Sequence, residues 1–99
     1  MEIGFMSSHY KKQIIASAIK FYITSTKSEV VLCGRRHGDI FLQLKLLGFK
    51  PREDYREIEQ GFINNQGKFL TRKQAYKEAL NACQITEKEV KELYSEDLW

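Results

Sequence analysis

The apolar residues of this chain come in short runs, each broken by charge or turn residues within a few positions, and this spacing limits what it can build. The main runs are Gln13–Thr24 (QIIASAIKFYIT), Glu29–Cys33, Ile40–Leu47, Ile58–Ile63 and Gly67–Leu70. None approaches the roughly 20 consecutive apolar residues that a membrane-crossing helix requires. No basic start leads into an apolar stretch and a small-residue cleavage site, so the expected location is the cytoplasm, with no membrane partner. At 99 residues the runs must share one core, because a chain divides only when its core outgrows one unit. A composition 42% apolar and 12% aromatic is enough to form that core and excludes wholesale disorder.

The period of each run suggests its element. Gln13–Thr24 fits both templates: Ile14, Ile15, Ala18, Ile19 and Tyr22 lie on a helical stripe, while Ile15, Ser17, Ile19, Phe21 and Ile23 alternate. The β-branched and aromatic residues of Ile19–Thr24 favour a strand. Ser25–Ser28 is turn-like, and Glu29–Cys33 reads as a second strand completing a hairpin. Asp39 as a cap, the run from Ile40 and the glycine at position 48 predict a helix over 40–47. The single proline, Pro51, lies in the most polar stretch, Lys50–Asp54, which reads as a loop.

Ile58–Ile63 and Gly67–Leu70 read as short strands around the turn residues Asn64–Gly67. Thr71-Arg72-Lys73-Gln74 is a capping box that opens a helix to about Ala82, and Thr86-Glu87-Lys88-Glu89 is a second one, predicting a helix to about Tyr94. The expected class is α+β, a small antiparallel sheet with about three helices packed on it. Residues 1–12 read as a flexible start and 13–99 as the domain.

Charge and cysteine content narrow the chemistry. The net charge is +3, but residues 1–50 carry eight Lys/Arg against three Asp/Glu, and residues 51–99 carry eight against ten. The first half therefore builds a basic surface suited to a phosphate-bearing partner. The excess is too small for duplex DNA, where several cations must neutralise several phosphates together. Cys33 and Cys83 are too few for a disulfide scaffold and read as reduced, mostly buried thiols. With His9 and His37 they lack the ligand spacing of a zinc site, so no metal or cofactor is expected.

Arg35-Arg36-His37-Gly38-Asp39 is the densest constellation, at a strand end and a helix start. A helix start offers unpaired N–H groups and partial positive charge to an anion. Arg35 and Arg36 could grip a phosphate through paired hydrogen bonds, Gly38 would permit close approach, and His37 could donate or shuttle a proton. The same residues equally fit a basic surface turn whose Asp39 caps a helix. Arg36-His37-Gly38 also matches the short signature of histidine phosphatases, but that chemistry needs a larger domain and a second catalytic histidine. A second cluster is Gln60-Gly61-Phe62 with Phe69 and Arg72. Its aromatics could stack a nucleobase beside an arginine in a helix's first turn, or they could simply pack the sheet. Glu53, Asp54, Glu57 and Glu59 lack the apolar surroundings that raise a catalytic carboxyl and read as a solvated face.

Taken in order, Ile15–Phe21, Arg36-His37-Gly38-Asp39-Ile40, Gln60-Gly61-Phe62, Gly67–Ala75, Ala82-Cys83-Gln84-Ile85 and Ser95–Trp99 resemble a widespread family of small phage-encoded proteins. The likeness covers nearly all of the chain from residue 14, and it is similar to viral sponge proteins that sequester the nucleotide messengers of bacterial immunity. The resemblance implies a non-catalytic protein that sequesters its ligand intact: a cyclic oligonucleotide, as in anti-CBASS sponges, or a cyclic ADP-ribose isomer, as in anti-Thoeris sponges. It also implies phosphate contacts at Arg36, His37 and Arg72, base stacking at Phe62, base-edge reading at Gln60, and the host cell's cytoplasm as location. Gly38 stands where that pattern often has a second histidine, and Cys83 where a glycine is common. A chain this small has difficulty enclosing such a ligand alone, so a homo-oligomer is expected. The rival expectations are a small His37-dependent phosphodiesterase or phosphatase, and a nucleic-acid or protein-interaction module.

Overall fold

The computed structural model describes residues 11–99. Its centre is strand β1, Ile14–Ile23, which pairs antiparallel with β2, Ser28–Gly34, on one side and with β3, Tyr55–Asn64, on the other. The short strand β4, Phe69–Thr71, completes a four-stranded antiparallel sheet of order β2-β1-β3-β4. Helix α1, His37–Leu46, joins β2 to β3 and packs on β1 and β2, and helix α2, Arg72–Asn81, follows β4 and packs on β3 and β4. The expected flexible start over 1–12 lies almost wholly outside the described residues.

The strand reading of Gln13–Thr24 agrees with β1, but its inner face contains an offset. From Ser17 to Ile23 the odd positions point inward, as alternation demands: Ser17, Ile19, Phe21 and Ile23 are all buried. Between Ile14 and Ala16 the register with β3 slips by one residue, so Ile14 is buried and Ile15 is 51% exposed. A bulge of this kind puts two residues opposite one and reverses the parity of the strand. A second slip lies opposite Lys20–Phe21 and leaves Ile58 exposed.

One face of the sheet carries two apolar clusters. Ile19, Phe21, Ile23 and Tyr55 receive Ile40 and Leu44 of α1. Ile14, Phe62 and Leu70 receive Ala75, Tyr76 and Ala79 of α2, with Leu93, Leu98 and Trp99 folding over them. Trp99 thus packs against the core of its own chain.

Both helices end in the same device. At α1 the amide of Gly48 donates to Lys45 O and that of Phe49 to Leu44 O, with Gly48 at φ 87°. At α2 the amide of Cys83 donates to Leu80 O and that of Gln84 to Ala79 O, with Cys83 at φ 60°. This double hydrogen bond favours glycine at the left-handed position, where a side chain costs roughly 1–2 kcal/mol. We expect Cys83→Gly to stabilise the fold by about 1 kcal/mol, read by urea denaturation; a loss of stability would contradict this cap. The turn also aims Gln84, whose side-chain amide pairs with both backbone groups of Ile14 at 2.7 and 2.8 Å.

Three expectations need correction. The third helix is absent: residues 86–94 are irregular, and only a 3-10 turn over Ser95–Asp97 follows. The second capping box is outcompeted by tertiary partners. The Lys88 amide donates to the Tyr76 hydroxyl, the Leu93 amide to Arg72 O, and Lys88 Nζ reaches Asp97 at 2.6 Å. Both cysteines are exposed rather than buried, since one lies on an edge strand and the other on the cap turn. Helix α1 begins at His37, with Arg36 as its N-cap; Asp39 sits at the third helical position and accepts the Arg36 amide at 3.2 Å. The first capping box forms as expected, between Thr71 Oγ1 and the Gln74 amide and between Gln74 Oε1 and the Thr71 amide.

Candidate functional site

His37 is the meeting point of four distant segments. The end of β2 delivers it to the first position of α1, and burial of Ile40 and Leu44 turns that face of the helix toward the sheet. Its ring is buried between the sheet and the C-terminal turn, edge-on to Phe62 with ring centres 5.1 Å apart. Nε2 lies 2.8 Å from the carbonyl of Gly61, which can only accept, so this nitrogen carries the proton. Nδ1 then accepts from Ser95 Oγ at 2.6 Å. Ser95 Oγ also takes the His37 amide at 3.3 Å and sits 2.6 Å from Ser17 Oγ, which donates to Arg35 O at 3.0 Å.

Four blocks of the sequence thus converge on one buried polar hub: Arg35–His37, Gly61-Phe62, Ser95, and Ser17 of β1. Among the described residues both ring nitrogens of His37 are engaged by protein. Ser95 was not singled out in the sequence; an isolated serine in an acidic tail carries no signal that it will be 5% exposed beneath a histidine.

Burial is the largest influence on His37 and lowers its pKa below the ordinary 6.5, with the Arg72 guanidinium acting in the same direction. The Gly61 carbonyl and the carboxylates of Glu57 and Glu96 oppose that shift. The folded chain therefore takes up this proton at lower pH than the unfolded chain. The resulting stability is fully present above the unfolded value and is lost as pH falls below it. The midpoint of thermal unfolding should drop between pH 7.5 and pH 5, and His37→Gln should flatten that drop; an equal drop in both proteins would contradict it.

The other candidate residues divide into two groups. Arg35, Arg36 and Asp39 are exposed at the start of α1, and the guanidiniums of Arg35 and Arg36 make no hydrogen bond or ion pair among the described residues. Gly38 beside them is open, with nothing within 4 Å of where a Cβ would stand. Arg72 is tied down instead. It donates to Leu93 O at 2.8 Å and to Gln60 Oε1, and its guanidinium lies 4.7 Å from the centre of the Tyr94 ring. Arg72 and Gln60 share a cleft of about 380 Å³ with Glu59, Lys73 and Glu92, so that two cations meet two carboxylates. Phe62, where the resemblance implies base stacking, is fully buried among Ile14, Leu70 and Tyr76. The nitrogens of His37, where the resemblance implies a phosphate contact, point into the hub. Gly61 permits a close approach, but by β4: a Cβ there would come within 2.0 Å of Leu70 O and 2.7 Å of the Phe69 ring.

Among the described residues no three His, Cys, Asp or Glu side chains gather as a metal site, and no helix is long and apolar enough to cross a membrane. Fold and site together define a small α+β protein, built on a four-stranded antiparallel sheet, with a buried histidine hub under an exposed pair of arginines. The chain belongs to the phage T4 y16D protein family, whose model matches residues 13–99. No curated protein and no solved structure matches it.

Proposed function

We propose that this protein acts by binding without chemistry, as a sponge that sequesters a small phosphorylated nucleotide of bacterial anti-phage immunity. The ligand class is a cyclic oligonucleotide or a cyclic ADP-ribose isomer. One observation carries this reading: Arg35 and Arg36 are exposed at the N-terminal end of α1 with no partner among the described residues, while the backbone beneath them is pinned by the hub through Arg35 O and the His37 amide. Two rigidly based guanidiniums beside a positive helix end form a suitable grip for phosphate. Engagement of both His37 nitrogens favours binding over a histidine-dependent phosphodiesterase. The Asp39 carboxylate, already on the Arg36 amide, limits the site to an anion that approaches from the guanidinium side.

Assembly into a homo-oligomer belongs to the same proposal. Ile15, Val31 and Ile58, exposed on three of the strands, leave apolar surface for a second copy. Arg36→Ala should weaken nucleotide binding by about 1.5–3 kcal/mol, the loss of a charged hydrogen bond, with the fold intact by circular dichroism. Isothermal titration against cyclic dinucleotides and cyclic ADP-ribose isomers reads that loss. Affinity unchanged from that of the unsubstituted protein in both Arg36→Ala and Arg35→Ala would place the ligand elsewhere. Light scattering that finds only an 11.6 kDa species would count against assembly.

A further inference from the structure

The opposite end of α1, about 15 Å from His37 at 1.5 Å per residue, borders a second surface of different chemistry. Two adjoining hollows of about 580 and 480 Å³ share Phe41, Pro51 and Tyr55, so they form one groove between α1 and the loop that enters β3. Its floor is stiff, because Phe41 and Tyr55 both stand edge-on against the fully buried Phe21, with ring centres 5.8 and 5.3 Å away.

The rim is cationic. Among the described residues Lys45, Lys50, Arg52 and Arg56 border the groove against one carboxylate, Glu57. The loop is firmly held: Lys50 and Asp54 exchange hydrogen bonds of 2.6 and 2.9 Å, and the Arg52 amide donates to Tyr55 O at 2.8 Å. Arg52 sits at φ 73°, a conformation that favours glycine, yet the position carries a long cationic side chain.

We propose that this groove docks an acidic segment of another protein, one with carboxylates on either side of a bulky apolar side chain. The apolar side chain fills the recess over Phe41 and Tyr55, and the carboxylates meet Lys45 and Lys50 on one side and Arg52 and Arg56 on the other. Charge complementarity requires the negative partner, since the rim carries four cations and one carboxylate. Leu42 and Leu46 of α1 are 52% and 78% exposed, but they stand about 100° around the helix from Phe41 and Lys45 and are no part of the groove. Cations on both sides of an apolar recess suit a partner that carries more than one carboxylate. Among the described residues the groove lining holds no Asn, Gln, Ser or Thr side chain.

Peptide display against the whole protein tests the proposal. The enriched sequences should carry Asp or Glu flanking Leu, Phe or Trp. A synthetic peptide of the enriched sequence should bind ~10-fold more weakly to the double variant Lys50→Glu, Arg52→Glu, with a steep salt dependence. Arg52→Gly keeps the backbone conformation and removes the charge, so it should weaken that peptide about three- to fivefold without lowering the unfolding temperature. Arg36→Ala should leave the peptide's affinity unchanged, which separates this surface from the nucleotide site. No enrichment, enrichment without acidic bias, or indifference to both groove variants would overturn the proposal. So would binding of phosphatidylglycerol vesicles or of ATP that is lost in the same variants while peptides fail.

Discussion

Gly61→Ala should cost about 3 kcal/mol or more and leave little folded protein at 37 °C, a penalty beyond ordinary core overpacking because the obstacle is backbone. The added methyl would stand 2.0 Å from Leu70 O and 3.1 Å from Leu70 C, with the Phe69 ring on its other side at 2.7 Å. A side chain can rotate away; a paired carbonyl cannot, since Gly61 is held opposite Thr71 in the β3–β4 ladder. Relief requires β4 to move, and β4 leads directly into the capped start of α2. Displacement of Gly61 also disturbs the carbonyl that accepts the hydrogen bond from His37 Nε2. Denaturant unfolding of the purified variant measures the cost, and a loss below 1 kcal/mol would mean that β4 does not lie where it is described.

Phe62→Ala should cost about 3–5 kcal/mol, as truncation of a buried phenylalanine does. Phe62 is fully buried in the cluster with Ile14, Leu70, Tyr76 and Leu93, and its ring supports the face of the hub beside His37. The cavity left behind would open between sheet and α2 and loosen the histidine. Phe62→Leu separates packing from ligand stacking. It should cost about 1.5 kcal/mol or less and leave nucleotide affinity unchanged. A sharp loss of affinity in a well-folded Phe62→Leu protein would restore the stacking role.

Much of the architecture is legible in the residues because local and global preferences coincide there. The alternation of Ser17 to Ile23, the turn residues Asn64–Gly67 and the reciprocal box of Thr71 and Gln74 each specify one local geometry, which the fold uses. Ile14 and Ile15 are different: two adjacent isoleucines carry no sign of which one faces the core, and a bulge decides it. The run from Thr86 to Tyr94 has good helix formers and a capping box, yet its amides find the Tyr76 hydroxyl and Arg72 O, partners visible only in three dimensions. The site follows the same rule. The segments around His37 and Gly61 can be recognised as special by their residue types, whereas Ser95 cannot. Which faces inward is set by the packing of Ile40 and Leu44, so Arg35 and Arg36 remain outside while His37 is sealed. Arg72 has the same charge as Arg36 but a different role, because Leu93 O and Gln60 lie within its reach.

The central claim is that exposed arginines above a sealed histidine hold a phosphorylated messenger and return it unchanged. The direct test is native mass spectrometry of the protein mixed with cyclic dinucleotides and cyclic ADP-ribose isomers, followed by denaturation and chromatography of the released ligand. The account predicts a defined protein–nucleotide complex that is lost in the Arg35→Ala, Arg36→Ala double variant, with the ligand recovered intact. A protein that binds none of these nucleotides, or that releases cleaved products, would contradict it.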